Sequence, residues 1–301
     1  MPTLAVLMTC HNRKESTLKC LNSVFSQELP DDLKLAVILV NDGSTDGTRE
    51  AITTQFPEVE VIEGSGHLYW AGGMRVAFGE AMRRGYDFYM WLNDDTILHP
   101  DAFSLLMAVS NTNNGKAIVV GSTRDTETGV ATYGGQRRMS KWHPLKFALM
   151  NPGNSPLLAD TMNGNCVLVP AAVAKKLGNL DHHFTHGMAD TDYGLRARKA
   201  GIALWVSPGY IGTCTRNSSK GTWSDPTLPT RERWRRMKSA KGLPPKEWRA
   251  LCRLHGGSAR FIWAVLPYLH FFLSVFDKSI IRASLRNRVL RKRRPPVSSS
   301  S

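Results

Sequence analysis

The chain has 301 residues, of which 42% are apolar, so it can bury the core of one large α/β domain with an appendage or of two modest domains. Five scattered cysteines with no C-x-x-C pair argue against a disulfide framework and against a structural zinc site. The net charge of +14 is concentrated: from Arg231 onward there are 18 Lys/Arg against 3 acids, while the first 230 residues are close to neutral, so the partners of the C-terminal third should be anionic.

The N-terminal part alternates apolar runs with helical patterns. Met1–Met8 is a short apolar run with no basic residue ahead of it, so it reads as a first buried strand of a cytoplasmic protein rather than a signal peptide. The spacing predicts strands over Thr3–Thr9, Leu33–Val40, Val59–Ile62, Phe88–Leu92 and Ala117–Gly121. Helices are expected over Lys14–Ser26, Arg49–Gln55, Ala71–Arg84 and Pro100–Val109. Thr126–Pro156, rich in Gly, Thr and bases, reads as a long loop or hairpin insertion. A strand over Cys166–Val169, helices over Ala171–Leu177 and Asp190–Ala200, and a strand over Ile202–Val206 follow. Gly212–Pro229 is polar and turn-rich, Arg231–Leu290 is helical, and Arg291–Ser301 is a basic disordered tail. The domains are accordingly drawn as 1–225, 226–290 and 291–301.

Two acidic clusters, Asn41-Asp42-Gly43-Ser44-Thr45-Asp46 and Asn93-Asp94-Asp95, fall at the carboxyl ends of expected strands, the edge where open α/β sheets bind ligands. Adjacent carboxylates there lose solvation and repel one another, and a divalent cation bridging a diphosphate relieves both costs. Asp94-Asp95 could equally begin a loop and cap the next helix, and Asn-Asp-Gly-Ser is turn chemistry in its own right.

The order Thr9-x-His11-Asn12-Arg13, Leu39-Val40-Asn41-Asp42-Gly43-Ser44-Thr45-Asp46-Gly47-Thr48, Trp91-Leu92-Asn93-Asp94-Asp95-Thr96 and Asp190-x-Asp192-Tyr193-Gly194-Leu195-Arg196 resembles glycosyltransferase family 2 over roughly Met1–Thr215. The resemblance implies an α/β fold of GT-A type, a mostly parallel twisted sheet flanked by helices, here with a helical C-terminal appendage. It implies a nucleotide-sugar donor and Mn²⁺ or Mg²⁺. It places Asp42 on the nucleotide base, Thr9, His11 and Arg13 in the donor pocket, and Asp95 on the metal with Asp94 alongside. Asn93 stands where many relatives have an acid.

Asp190 matches the family's general base in inverting members, with Ala189 in place of the preceding glutamate. Asp192 is the alternative, and helix N-capping is the structural one for Asp190. Cys214 lies near the position of a metal-binding His in relatives, as a soft ligand or as an inert buried thiol. Gly72 and Gly73, in the stretch Gly64–Arg75, resemble a glycine-rich loop that opens a helix toward phosphate, whereas Tyr69-Trp70 could be core aromatics. Asn163-Gly164-Asn165 matches a stretch facing the acceptor.

Arg260–Phe276 is too short and too interrupted for a membrane span; it suits an interfacial helix on an anionic membrane surface or a helix packed on the body. Thr230-Arg231-Glu232-Arg233-Trp234 lacks the Gln of the processive synthases' Gln-x-x-Arg-Trp motif, so single addition to a glycan or lipid-linked acceptor is expected. The Gly66–Gly73 stretch looks most like rhamnosyltransferase-type members. A nucleotidyltransferase would carry a Gly-rich basic loop after the first strand, and Cys10–Arg13 is not one. No nucleic-acid motif accompanies the basic charge, which lies outside the βα body, so nucleic acid is not an expected partner. The alternatives are a catalytically silent relative or a basic protein that binds nucleic acid or membrane.

Overall fold

A computed structural model describes residues 1–29, 33–216 and 218–274. Strand β1 (Thr3–Cys10) is buried along almost its whole length, as a strand covered on both faces must be. It pairs in parallel with β2 (Lys34–Asn41) on one side and β4 (Phe88–Leu92) on the other, and β3 (Val59–Glu63) extends the parallel set beyond β2. Helices α1 (Lys14–Phe25), α2 (Thr48–Gln55) and α3 (Tyr69–Arg84) make the connections. Beyond β4 comes β12 (Cys166–Pro170), antiparallel to both β4 and β6 (Ile118–Arg124). Strand β13 (Leu204–Thr213) then runs parallel to β6. Short strands β5 (Ile97–Leu98), β7 (Ala131–Tyr133) and β10 (Leu157–Leu158) complete a ten-stranded, mainly parallel sheet. This meets the fold expectation.

The period-2 geometry of a strand divides the core into two layers. Leu4, Val6 and Met8 of β1 face α1 and α4 (Ala102–Thr112), and Ala5 and Leu7 face α3 and α6 (Ala189–Lys199). Between β12 and α6 lies α5 (Ala171–Leu177). In the 126–156 insertion, β8 (Gly135–Arg138) and β9 (Phe147–Leu149) form a hairpin that joins β11 (Thr161–Met162) in a second, three-stranded sheet.

Three boundaries differ from expectation for identifiable reasons. Helix α3 opens at Tyr69, two residues early, because the Asp42 carboxylate takes the N–H groups of Leu68 and Tyr69 that the helix start leaves unpaired. Helix α4 opens at Ala102, after Pro100 and Asp101 have spent a turn outside it. Strand β13 continues past Val206 through Pro208-Gly209 by shifting register twice against β6, and so absorbs Gly212 and Thr213 from the segment read as polar and turn-rich.

The C-terminal third is helical in α7 (Thr230–Met237), α8 (Pro245–His255) and α9 (260–274). Trp248, Leu251 and Cys252 of α8 belong to the same apolar core as α3 and α6, and Trp263 and Tyr268 of α9 pack against it. No helix among the described residues is long and apolar enough to cross a membrane. The expected tail, 291–301, and the end of the expected helical stretch lie outside the described residues.

Candidate active site

Loops after β1, β2 and β4 emerge at one edge because those strands are parallel, and the stretch leading into antiparallel β12 reaches the same edge. The first two are tied together. Asn12, at a φ of 51°, accepts the Thr45 N–H on its side-chain oxygen at 2.7 Å and gives its own N–H to Ser44 Oγ at 2.9 Å. Asp46 accepts the N–H of Lys14 at 3.0 Å and of Thr48 at 3.1 Å, so it braces the starts of α1 and α2.

Asp42 is buried, and three of its roughly four acceptor positions are used. It takes the N–H groups of Gly66 at 2.7 Å, Leu68 at 2.9 Å and Tyr69 at 3.0 Å. The loop must lie close for this: a Cβ at Gly64 would fall 2.7 Å from Asp42 Oδ1. His11 Nδ1 donates to the Asp42 carbonyl at 2.6 Å, which leaves Nε2 as acceptor for the Asn12 amide at 3.3 Å.

Arg13 spans both carboxylates of the second cluster, donating to Asp94 Oδ1 at 3.1 Å and Asp95 Oδ2 at 2.6 Å. Burial pushes the Asp94 carboxyl up to about 7; Arg13 opposes the rise and Asp95 adds to it. Asp94 Oδ2 is buried without a hydrogen-bond partner among the described residues. Cys214 Sγ lies 3.4 Å from Asp95 Oδ1, and burial pushes this thiol up to about 12, with Asp95 contributing. Thus Cys214 touches the acidic pair as a protonated thiol at neutral pH.

Met188, at a φ of 71°, occupies the N-cap of α6, so Asp190 sits in the first turn and is not the cap. Its Oδ2 accepts the Gly164 N–H at 3.0 Å and its Oδ1 the Thr191 N–H at 2.7 Å. Burial raises its pKa, and those two N–H groups act against the rise. Gly164 lies between Trp70 and Asp190: a Cβ there would meet the indole at 2.5 Å and Asp190 Cβ at 3.3 Å. Trp70 is fixed by its Nε1–H, which donates to Asn93 Oδ1 at 2.7 Å. Both Tyr69 and Trp70 line the cavity, while Trp70 also packs against the core.

A single cavity of about 430 Å³ is lined by Thr9, His11, Arg13, Asp42, Asp94, Asp95 and Asp190. Two sequence assignments do not reach it. Gly72 and Gly73 lie on the buried side of α3, and a Cβ at Gly73 would fall 2.0 Å from Thr9 Oγ1. Gly73 lets α3 approach β1, a Cβ at Gly72 would instead meet Leu68 at 3.2 Å, and neither glycine lines the cavity. Asp192 is also removed as a candidate base, because its carboxylate is fully buried between Arg196 Nε at 2.8 Å and His255 Nε2 at 2.7 Å. The cavity includes residues that sequence reasoning missed: Tyr133, His186 and Lys241. Lys241 precedes α8, and no local pattern links it to Asp190. A shallower depression near Met1, Asp87 and Ala171 lies at the opposite edge of the strands, and Asp87 is tied there to Thr3.

Comparison with known proteins matches the family model "Glycosyl transferase family 2" over residues 5–177. Over 129 residues the chain is 28% identical to a poly-beta-1,6-N-acetyl-D-glucosamine synthase of Staphylococcus epidermidis, covering 40% of this chain and 28% of the synthase. Over 65 residues it is 35% identical to glycosyltransferase AglE of Haloferax volcanii, covering 21% of each. The chain therefore spans under a third of either relative's length. Among solved structures, the mannosyltransferase PcManGT of Pyrobaculum calidifontis, in complex with GDP-Man and Mn²⁺, aligns with a TM-score of 0.56 at 14% identity over 96% of this chain and 81% of that one. TarS of S. aureus aligns at 0.53 and 13% identity, over 84% of this chain and 43% of its own. At such identity these likenesses show the GT-A fold alone. With more than half its length matched in family order, the chain belongs to glycosyl transferase family 2.

Proposed function

We propose that this glycosyltransferase moves one sugar at a time, with inversion, from a nucleotide-diphosphate donor to a glycan or lipid-linked acceptor in cell-surface polysaccharide assembly. A UDP- or dTDP-sugar is the proposed donor. The observation that carries the reading is that Asp42, Asp94, Asp95 and Asp190, from three separate stretches of sequence, line one cavity.

The acidic pair suits a hard divalent cation. Asp94 Oδ2 is a buried acceptor lacking a partner among the described residues, and Asp95 lies beside it. One or two carboxylates completed by substrate phosphates are the donor set such an ion takes. Asp95, with Asp94, would hold Mn²⁺ or Mg²⁺, which when bound neutralises charge on the departing diphosphate. Thr9, His11, Arg13 and Asp42 form the donor side, and Asp42 also fixes the 66–69 loop beneath it.

Asp190 is the proposed base. As the acceptor hydroxyl oxygen attacks the anomeric carbon, the bond to the phosphate oxygen breaks and Asp190 takes the hydroxyl proton. Its raised pKa makes it a stronger base than an exposed aspartate, and the N–H groups of Gly164 and Thr191 aim it. Trp70, locked by Asn93, stands beside Gly164 as a rigid wall. A cytoplasmic protein whose basic third meets an acceptor at an anionic surface is consistent with the charge distribution.

Thermal-shift measurements against UDP-, dTDP- and GDP-sugars, with and without Mn²⁺, followed by transfer assays with the stabilising donor, test this reading. Stabilisation that needs metal and is lost in Asp95→Ala supports it. No shift with any nucleotide sugar, or transfer unaffected in Asp190→Asn, would reject it.

A further inference from the structure

Helix α9 is apolar on two faces. Trp263, Tyr268 and Phe271 turn toward the body: Phe271 is buried, Tyr268 donates its hydroxyl to the Leu243 carbonyl at 2.9 Å, and the Trp263 carbonyl accepts the Trp248 indole N–H at 2.9 Å. The opposite side carries Phe261, Ile262, Val265, Leu269, Phe272 and Leu273, between 42% and 72% exposed. At roughly 100° per residue these six fall within about 120° of the helix circumference. They form a continuous stripe rather than scattered exposures. A helix apolar all round is normally buried on all sides, and a contiguous apolar patch on a folded surface marks an interaction site.

A second element with exposed apolar side chains touches α9. The tip of the β8–β9 hairpin is held against the start of α9 by the His143 ring, which stacks on Trp263 at 4.2 Å. That tip exposes Met139 at 60% and Trp142 at 88%. His143 and Trp263 are 120 residues apart in sequence, and each of the two elements leaves large apolar side chains uncovered.

We propose that this joint face of α9 and the β8–β9 tip docks the protein on an anionic lipid bilayer, with α9 lying in the interface plane. Charge selects this occupant. The hairpin stretch from Arg137 to Lys146 holds four bases and no acid, and Arg260 stacks over Phe261 at 5.0 Å at the head of the stripe. Near its far end, Arg233 lies over Phe271 and Lys238 over Trp234. From Arg231 to Ser274 there are ten Lys/Arg and two acids. Of those acids, Glu232 is bound to Arg235 and Arg236, while Glu247 is buried and accepts the Thr185 N–H. Apolar side chains bordered by unopposed bases, with an exposed Trp at the edge, match the headgroup boundary of an anionic leaflet. A second copy of this chain would bring like charges together around the same stripe. The helix lies on the membrane and does not span it, since its inner face is committed to the body.

The face is tested without any sugar transfer, so its failure and that of the proposed chemistry are separable. The full chain is sedimented with phosphatidylcholine vesicles, with and without about a third phosphatidylglycerol, alongside Phe261→Ser/Leu269→Ser and Trp142→Ser. These side chains are exposed, so circular dichroism melts should match the wild type within a few degrees. The expected result is binding that needs the anionic lipid and falls tenfold or more in the double variant and severalfold in Trp142→Ser. Three results overturn the proposal: no vesicle binding by the wild type, equal binding by the double variant, or a wild-type dimer by light scattering that the double variant abolishes.

Discussion

Asp190 Oδ2 accepts the backbone N–H of Gly164 at 3.0 Å, and the same glycine is overlaid by the Trp70 indole, where a Cβ would come within 2.5 Å. The proposed base is therefore aimed by a peptide group that only glycine can place there, against an aromatic wall that cannot yield without breaking its bond to Asn93.

Asp190 must be unprotonated to accept the acceptor proton, and burial raises its pKa. The value of kcat/KM should therefore climb as pH rises through that raised pKa and level off above it, the inflection lying above the ordinary aspartate range. Asp190→Asn should lose about 10²–10⁴-fold in kcat and lose that limb of the profile. Initial rates from pH 4.5 to 9 measure both.

The acidic pair predicts a pH-dependent metal effect. With Asp94 titrating near 7, protons compete with the cation below that pH. Mn²⁺ should stabilise the protein more at pH 8 than at pH 6. At a hundred times Kd the gain is about 2.7 kcal/mol, a rise in Tm of roughly 5 °C. Without metal the sign reverses: the folded state holds the Asp94 proton between pH 4 and 7 that the unfolded chain releases, so this group's contribution to stability is lost as pH rises through 7. Asp94→Asn should therefore gain stability relative to the wild type above pH 7 in chelator and respond little to Mn²⁺.

Gly73→Ala tests the assignment of that residue to packing. The added Cβ would meet Thr9 Oγ1 at 2.0 Å, and overpacking of this kind costs about 1–3 kcal/mol. Adding Thr9→Ala should recover much of the loss, a non-additivity visible in urea melts of the two single variants and the double. A glycine serving only to admit ligand would give additive melts.

The buried Arg196–Asp192–His255 contact fastens α8 onto the helix that carries Asp190. Removing His255 leaves Asp192 Oδ1 buried without its hydrogen bond while Arg196 still holds Oδ2. His255→Ala should therefore cost about 1–3 kcal/mol, the penalty of one buried acceptor left unpaired. Denaturant unfolding measures it. A loss below about 0.5 kcal/mol would show that α8 is held by its apolar contacts alone.

The sequence by itself determined the succession of strands and helices, because apolar periodicity and the turn residues act within a few positions of one another. Parallel order then placed Asp42, Asp94 and Asp95 on one sheet edge. Tertiary structure alone decided which candidates face the cavity: Gly73 turned inward to admit β1 and Gly72 toward Leu68, Asp192 paired with a histidine 63 residues away, and Lys241 arrived from the C-terminal third. The two faces of α9 were equally beyond a sequence reading, since an apolar residue reads the same whether a core covers it or solvent does. What separates them is long-range packing against Trp248 and His143, which is a property of the folded chain.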